Sequence, residues 1–402
     1  MQHAMIQPVS LNRILWFIFA AVTLITQNWY SFSAVLPILQ PLWNLTATQT
    51  GLIVASFQFG YVLSVLICSF FSDTHSPQKI FVLGGLLSGF SSLAFVVLAH
   101  GFYSALLLRF IVGLGMGGVF VPGVKMVSTV FPPTQRGKVV GLTVSAMSLG
   151  SGLSIFYSGL FIAWFSWQAL MICTAFGAGI GSWAVYSLGT LQIPTSKIVI
   201  STALFKRLLH KPVLLINASY MGHMWELYTM WPWIGPFMVF ALAAQGYDMQ
   251  KAAVYGNTLG GISIIIGALA TWMGGKLSDI YGRTSMILIF LAGSTICSVC
   301  IGWMVYVPVS LLTVVVIVYG FLVVGDSPIL TATVADLAEP EIMGFTLGIQ
   351  SVVGYGITIV SPAVFGMILD TTHSWGWAFT SLGLGAFLGV AALMFLRHMT
   401  HI

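Results

Sequence analysis

Long apolar stretches separated by short polar segments repeat along the entire chain. Twelve of them reach about the 20 residues that an α-helix needs to cross the hydrocarbon core of a bilayer. We call them spans 1 to 12, and their predicted bounds are 14–38, 50–71, 79–99, 103–128, 139–163, 167–189, 212–242, 252–274, 284–304, 309–333, 344–369 and 376–396. The pattern predicts an all-α membrane protein with twelve transmembrane helices.

The amino-acid composition agrees with this prediction. Of the 402 residues, 58% are hydrophobic and only 6% are charged, whereas soluble domains carry roughly 25% charged residues. A water-soluble fold cannot bury that much apolar surface. The first apolar stretch lacks a small-residue cleavage site, so we expect a retained helix and not a signal peptide.

The basic residues predict how the chain is oriented. Of the 14 Lys and Arg residues, Lys251 alone falls on one side of the twelve-span arrangement, while Arg109 and Lys125 lie within span 4. The other side carries Arg13, Lys79, Arg136, Lys138, Lys197, Lys206, Arg207, Lys211, Lys276, Arg283 and Arg397. Because basic loops stay in the cytoplasm, we expect both termini to be cytoplasmic in a multi-pass protein of a bacterial inner membrane.

Two loops on the basic side recur at nearly the same offset, which indicates an internal duplication. Ser72-Asp73 after span 2 matches Ser278-Asp279 after span 8, 206 positions later. At an offset of 207, the segment after span 4 matches the segment after span 10, as Pro133, Gly137 and Gly141 against Pro340, Gly344 and Gly348. We therefore predict two pseudo-symmetric six-helix bundles, 1–190 and 212–402, joined by a cytoplasmic linker at 191–211. Duplicated transporters bind their substrate between the halves, near the bilayer midplane.

The loop between spans 8 and 9 carries a specific motif. Its sequence is Gly275-Lys276-Leu277-Ser278-Asp279-Ile280-Tyr281-Gly282-Arg283, which is similar to the G-x-L-x-D-x-x-G-R signature of the major facilitator superfamily. A second similarity is Arg109 in span 4, followed by Gly113, Gly115 and Gly117. The resemblance covers essentially the whole chain. It implies alternating access, with spans 1, 4, 7 and 10 lining the cavity.

The same resemblance implies gating residues on the basic side. Asp279 and Arg283 belong to the motif itself, and Asp73 stands at the matching position of the first half. In that first copy Ser76 and Pro77 replace the Gly and Arg of the family pattern.

Within the superfamily, one local match looks like the cyanate and nitrate/nitrite porter branch. Pro122 and Lys125, followed by Phe131-Pro132, carry this similarity. Nitrate porters of the superfamily hold their anion with Arg in spans 2 and 8. Here those spans offer Gln58, Tyr61, Tyr255 and Asn257 and no Arg, so the similarity does not extend to the nitrate-binding residues.

Glu226 is the candidate proton site. It lies in the middle of span 7, where an ionised side chain costs about 2.5–3.5 kcal/mol on insertion scales. His223 lies three residues earlier, near the same helix face, and is a candidate to share the proton. The alternatives are a structural hydrogen bond for Glu226 and a packing role for His223.

Arg109 is the candidate anion-binding residue, and the polar residues of the cavity-lining spans are candidates for solute contact. The alternatives for Arg109 are a pair with Glu226 or a structural tie in the outer half of span 4. The further solute-contact candidates are Gln27, Asn28, Tyr30, Gln58, Tyr228, Asn257 and Tyr355.

Lys125 and Asp326 have opposite charge and similar depth in spans 4 and 10. We hypothesise that they pair as an inner gate when the carrier opens outward. The alternative is that Lys125 extends to lipid headgroups and that Asp326 caps a helix break at Ser327-Pro328. In span 7, Pro232 and Pro236 are expected to kink or unwind the outer end of the helix.

Together these features predict a proton-coupled symporter of a small anionic or zwitterionic solute. No nucleotide-binding loop appears, and we expect no cofactor, no metal, no nucleic-acid partner and a monomer in the bilayer. A second possibility is proton-driven export of a larger organic compound, such as a siderophore or drug, which the aromatic residues of spans 1 and 7 would suit. A channel would conduct without saturation. An enzyme would need a nucleophile–base or metal constellation, and none stands out in the sequence.

Overall fold

A computed structural model describes residues 10–132, 135–191, 193, 211–337 and 343–400. Side chains at 69–70, 72–74, 136–137, 343–345 and 400 also lie outside the described part. The helices are Leu11–Leu42, Ala47–Thr74, Pro77–Leu98, Phe102–Val130, Arg136–Phe156, Ser158–Trp164, Trp167–Tyr186, Lys211–Ala244, Met249–Tyr281, Arg283–Ile301, Val309–Gly325, Ser327–Leu337, Met343–Ile357, Ser361–Thr372 and Trp375–Thr400.

These helices confirm the predicted fold class. Across the described residues, twelve helical segments are long and apolar enough to cross a membrane, and each overlaps one predicted span. We keep the names spans 1 to 12 for them. The predicted linker at 191–211 lies almost entirely outside the described residues.

Three spans consist of two helices. Span 5 is interrupted at Tyr157, span 10 at Asp326, and span 11 between Ile357 and Ser361. The break at Asp326 lies where the sequence predicted one, next to Pro328. The prolines of span 7 were expected to kink or unwind its outer end, and the unwinding was wrong, because the helix continues from Lys211 to Ala244 with both prolines inside it. Dense packing around span 7, which is mostly buried, explains why the helix tolerates the lost hydrogen bonds.

Spans 1–6 pack on one another as the N-terminal half, and spans 7–12 pack as the C-terminal half. Glycines allow the close approach of helices inside each half. A Cβ atom at Gly113 of span 4 would lie 2.1 Å from the Phe57 carbonyl oxygen of span 2. At Gly274 of span 8, it would lie 2.2 Å from the Gly325 carbonyl oxygen. Small residues at such crossings are the usual means by which helices associate in lipid.

Described residues of the two halves contact each other mainly in the middle of the spans and toward one membrane face. We call the face where span 1 begins the basic face, and the other the opposite face. At the opposite face, Asp370 of span 11 accepts hydrogen bonds from the backbone N–H groups of Ala47 and Thr48 at the start of span 2, at 2.8 and 2.7 Å. The Thr48 hydroxyl donates a third, at 2.6 Å. Within the described part of the chain, three further hydrogen bonds link the halves, from Gln250 to Ala163, from Asn257 to Ala34 and from Thr258 to Phe156.

For pairs of described residues, every hydrogen bond and ring contact between the halves lies in the middle of the spans or nearer the opposite face. The protein is therefore closed between its halves at the opposite face. The candidate site must lie below this closure, in the middle of the spans.

Candidate functional site

Arg109 is a buried cation inside the N-terminal half. Its side chain is 2% exposed. The guanidinium donates hydrogen bonds to two backbone carbonyls of span 1, that of Asn28 at 2.8 Å and that of Trp29 at 2.5 Å. The Phe57 ring lies 4.6 Å from the guanidinium carbon, and the Phe32 ring lies 5.8 Å from it. Carbonyl dipoles and ring faces both stabilise a cation.

Of the two alternatives for Arg109, the structure shows the structural tie, since its hydrogen bonds join span 4 to span 1. It binds span 1 and not Glu226, so the suggested pair with Glu226 is absent from this conformation. Considering the described residues, no carboxylate forms an ion pair with Arg109, and its Nε atom has no hydrogen-bond partner. The positive charge is therefore solvated by dipoles and rings alone.

The polar residues of span 1 have different surroundings. Asn28 donates from its amide to the Ile25 and Thr174 carbonyls, which ties span 1 to span 6. Gln27 accepts a hydrogen bond from the Tyr157 hydroxyl at the break in span 5. Tyr30 is buried, and its hydroxyl has no hydrogen-bond partner among described residues. The structure thus gives Asn28 and Gln27 structural partners and leaves Tyr30 unpaired.

Four aromatic rings, two from each half, lie in the middle of the protein, and each contacts two of the others. We call Trp29, Tyr61, Tyr228 and Tyr355 the aromatic layer. Ring centroids are 4.7 Å apart for Trp29 and Tyr61, 5.0 Å for Tyr61 and Tyr355, 5.3 Å for Tyr355 and Tyr228, and 6.0 Å for Tyr228 and Trp29. The Tyr228 and Tyr355 hydroxyls lie 3.0 Å apart in a hydrogen bond. Tyr228 and Tyr355 are among the predicted solute-contact residues, whereas Trp29 and Tyr61 are not.

Glu226 is buried inside the C-terminal half, with no exposed surface. One carboxyl oxygen accepts a hydrogen bond from the Ser294 hydroxyl of span 9 at 2.8 Å, and the other oxygen has no hydrogen-bond partner. The hydroxyls of Tyr319 and Ser298 are also neighbours of this carboxyl group, but the Tyr319 hydroxyl makes no hydrogen bond of acceptable geometry. Glu226 therefore faces spans 9 and 10 and not the N-terminal half.

His223 links span 7 to the break in span 10. Its Nδ1 atom lies 2.9 Å from a carboxyl oxygen of Asp326, and its Nε2 atom lies 2.6 Å from the Ser327 hydroxyl. Both His223 and Asp326 are 1% exposed. Asp326 ends the first helix of span 10. In this conformation its partner is thus His223 and not the predicted Lys125, which leaves the proposed outward-open pairing untested.

The remaining predicted residues are spread over the molecule. Gln58 is buried, and both its amide atoms are unpartnered among described residues. Asn257 donates to the Ala34 carbonyl at 2.9 Å, across the two halves. Arg283 forms an ion pair with Asp336 at the basic end of span 10, at 2.5 Å. Asp279 is exposed at the basic end of span 8. The side chain of Asp73 lies outside the described residues.

A comparison with known protein families identifies the family to which this twelve-span chain belongs. Residues 18–362 match the model of the Major Facilitator Superfamily. The chain belongs to the major facilitator superfamily. As a member, it is a multi-pass membrane transporter of small solutes and not an enzyme, in agreement with its curated relatives.

This superfamily member is similar to two transporters over nearly its full length. It is 26% identical to the hexuronate transporter of Bacillus subtilis, over 96% of this chain and 94% of the relative. It is 23% identical to a probable sulfoacetate transporter of Cupriavidus necator, over 90% of this chain and 88% of the relative. The crystal structure of a D-xylose–proton symporter has a TM-score of 0.76 at 17% identity, covering 96% of this chain and 97% of that chain, which shows the fold.

These relatives refine the predicted resemblance. Hexuronate and sulfoacetate are organic anions, and neither relative is named as a cyanate or nitrate porter. The prediction is therefore confirmed at the level of the superfamily, and the specific resemblance to the cyanate and nitrate/nitrite porter branch is not supported.

Proposed function

We propose that this protein is a proton-coupled symporter that carries a small organic anion into the cell by alternating access. The observation that carries the proposal is Arg109, a buried guanidinium without a carboxylate partner among the described residues. A buried charge is costly unless it is paired. An anionic substrate supplies the missing negative charge, so the site favours an anion over a neutral solute.

The chemistry of Arg109 favours a carboxylate or sulfonate. A guanidinium carries five donors in a planar fork that matches such groups in a bidentate manner. Two of its donors are held by the Asn28 and Trp29 carbonyls, which fix the orientation of the fork. The unpartnered Nε atom supports the view that donor capacity remains for a ligand.

The proton is assigned to the C-terminal half. Glu226 has a carboxyl oxygen without a partner, and His223 and Asp326 form a buried acid–base pair. These groups lie on span 7 and at the break of span 10, so rocking of the halves can change their access to water. A monoanion that enters with one proton moves no net charge, and the proton gradient then drives its accumulation.

The orientation follows from the charge distribution. With the basic face in the cytoplasm, this conformation is closed to the outside by Asp370 and the start of span 2. We assign it as a state that faces the cytoplasm. Both termini and the linker at 191–211 would then be cytoplasmic, with bundles 1–190 and 212–402 forming one monomeric carrier in the inner membrane.

Transport into proteoliposomes tests this function. The purified protein is reconstituted, an inward proton gradient is imposed, and uptake of labelled glucuronate and sulfoacetate is measured, with the neutral sugar xylose as control. We expect at least one anion to accumulate above its equilibrium level and xylose not to accumulate. Accumulation of neither anion would contradict the proposal, and loss of preloaded solute driven by the same gradient would favour the exporter alternative.

A further inference from the structure

The aromatic layer lies nearer the basic face than the other ring contacts and hydrogen bonds that join described residues of the two halves. At 1.5 Å per residue, Trp29 lies about 20 Å from the opposite-face end of span 1, and Tyr355 lies about 25 Å from that end of span 11. The hydrogen bonds of Asp370 and Asn257 lie farther toward the opposite face. Among described residues, the layer is therefore the contact between the halves that lies nearest the basic face.

The aromatic layer is in contact with Arg109 and with a ring that packs on it. The Phe57 ring that packs on Arg109 lies 5.1 Å from the Trp29 ring, between their centroids. The backbone carbonyl of Trp29 itself accepts a hydrogen bond from Arg109. A ligand whose carboxylate approaches the guanidinium thus has its remaining atoms beside the rings of the layer.

Several buried polar groups near Arg109 and the aromatic layer have no hydrogen-bond partner among described residues. The Trp231 indole N–H is buried and has no hydrogen-bond partner in the described part of the chain. The Trp29 indole N–H and the Tyr30 hydroxyl are buried neighbours that make no hydrogen bond of acceptable geometry. Gln58, the residue after Phe57 in span 2, has an amide with both polar atoms unpartnered among described residues. Buried polar groups are normally satisfied, so the unpartnered donors next to this cation are available to a ligand with several hydrogen-bonding substituents.

We propose that the aromatic layer is the wall that recognises the ring of the substrate, and that the transported anion is a ring-bearing carboxylate. This inference rests on the proposed function and narrows its substrate class. Aromatic faces stack on aromatic rings and on the apolar faces of sugar rings, whereas a small inorganic or open-chain anion gains little from them. The rings of Tyr228 and Tyr355 part to admit the ligand, and their hydroxyls are then free to bond to it.

The test compares anions of equal charge. Glucuronate offers a pyranose ring, 2,5-dihydroxybenzoate an aromatic ring, and gluconate an open chain with the same number of carbon atoms as glucuronate. Each anion is added as a competitor to proteoliposomes that exchange a labelled transported anion, and the concentration that halves this exchange is measured. We expect at least one ring-bearing anion to inhibit at a concentration about tenfold lower than gluconate, the size expected for ring stacking with added hydrogen bonds. Which ring inhibits distinguishes a sugar acid from an aromatic acid.

Matched variants test whether the aromatic layer causes the preference for ring-bearing anions over gluconate. Tyr355→Phe and Tyr228→Phe keep the ring and should keep at least about a threefold preference, whereas Tyr355→Leu and Tyr228→Leu should reduce the ratio to near one. Tyr355 is only partly buried, so its replacement is the milder perturbation. A preference that persists in both Leu variants would overturn the proposal.

The outcomes separate this inference from the proposed function. If wild-type protein transports gluconate and both ring-bearing anions equally well, the proposed function stands and the ring wall is refuted. If none of the anions is transported, both fail. Should the Leu variants not fold, the wild-type ratio alone decides, since a value near one overturns the inference.

Discussion

The two halves of this transporter bury their charged groups in different ways. In the N-terminal half, Arg109 is held by two carbonyls and two ring faces, and no described carboxylate pairs with it. In the C-terminal half, Glu226 binds a serine, and Asp326 lies against His223. One half therefore presents a cation that lacks an anion, and the other presents groups that can take up a proton.

The internal duplication of the sequence does not extend to these charged residues. The offsets of 206 and 207 place Val315 or Val316 of span 10 at the position that matches Arg109. A valine cannot reproduce a guanidinium, so the halves share helix packing and not binding chemistry. We interpret this as a division of roles, with anion binding in the N-terminal half and proton binding in the C-terminal half.

Removing the cation should have the largest effect. Hydrogen bonds to a charged group contribute about 1.5–3 kcal/mol, so Arg109→Gln should lower anion affinity by about 10- to 150-fold. Ligand-induced thermal stabilisation measures this affinity. Arg109→Lys keeps the charge and should lose less, while Lys251→Gln, an exposed residue at the opposite face, should lose nothing. Unchanged affinity in Arg109→Gln would end the assignment of anion binding to this half.

Neutralising the carboxylate should abolish coupling without abolishing exchange. One pH unit corresponds to 1.36 kcal/mol and thus supports about tenfold accumulation of a monoanion carried with one proton. Glu226→Gln should show no accumulation under such a gradient, yet should still exchange labelled for unlabelled anion. Ser294→Ala removes the hydrogen bond to Glu226 and the alternative one to the Leu291 carbonyl of its own helix, keeps the carboxylate, and serves as the milder control. Full accumulation in Glu226→Gln would assign the proton elsewhere.

The pair of His223 and Asp326 should behave as one unit. Because their atoms lie 2.9 Å apart in a buried place, we expect His223→Gln and Asp326→Asn to be non-additive, with a coupling free energy of about 1–2 kcal/mol in uptake rate. A double-mutant cycle measures it. Additive losses would show that the pair has no joint role in transport.

The same carboxylate tests the predicted inner gate. If Lys125 takes Asp326 as its partner in the outward-open state, the exchange Lys125→Asp with Asp326→Lys should restore part of the uptake that either single change removes. Failure of the exchange to restore uptake, with the double variant folded, would leave His223 as the functional partner of Asp326.

The smallest expected effect concerns the closure at the opposite face. An N-cap hydrogen bond is worth typically about 1 kcal/mol, so Asp370→Asn should raise the outward-open population about fivefold. Labelling of an Ala363→Cys variant, a position packed against Gly51 of span 2, by a membrane-impermeant maleimide measures this. Asp248→Asn is a matched control, because Asp248 caps its own span 8. Equal labelling in both backgrounds would contradict a latch role for Asp370.

The fold was largely predictable because the signal is local. An apolar stretch of membrane length has to be a helix in lipid, and every predicted span has a helical counterpart. Helix breaks were less predictable. Pro328 marked the break at Asp326, but Pro232 and Pro236 lie inside a continuous helix, since packing of span 7 and not proline alone decides whether the helix unwinds.

The buried charges were predictable from the sequence, and their contacts were not. A charge inside an apolar stretch is visible in the sequence, so the burial of Arg109 and Glu226 could be predicted. Their partners depend on how each helix is rotated, and nothing in the sequence indicates that Arg109 contacts backbone carbonyls or that Glu226 faces Ser294. Asp370 was missed because the sequence does not distinguish an acidic residue that binds another helix from one that faces water at the end of a span.

The measurement that tests the account most directly is the proton movement that accompanies anion entry. Proteoliposomes with a trapped pH-sensitive dye and no imposed proton gradient receive an inward gradient of a transported anion. We predict acidification of the lumen with the wild-type protein and no acidification with Glu226→Gln, although labelled anion still exchanges. With Arg109→Gln both signals should be strongly reduced when the anion is supplied at a concentration that just saturates the wild-type protein. Anion entry without acidification in the wild type, or undiminished acidification with Glu226→Gln, would contradict the division of roles between the two halves.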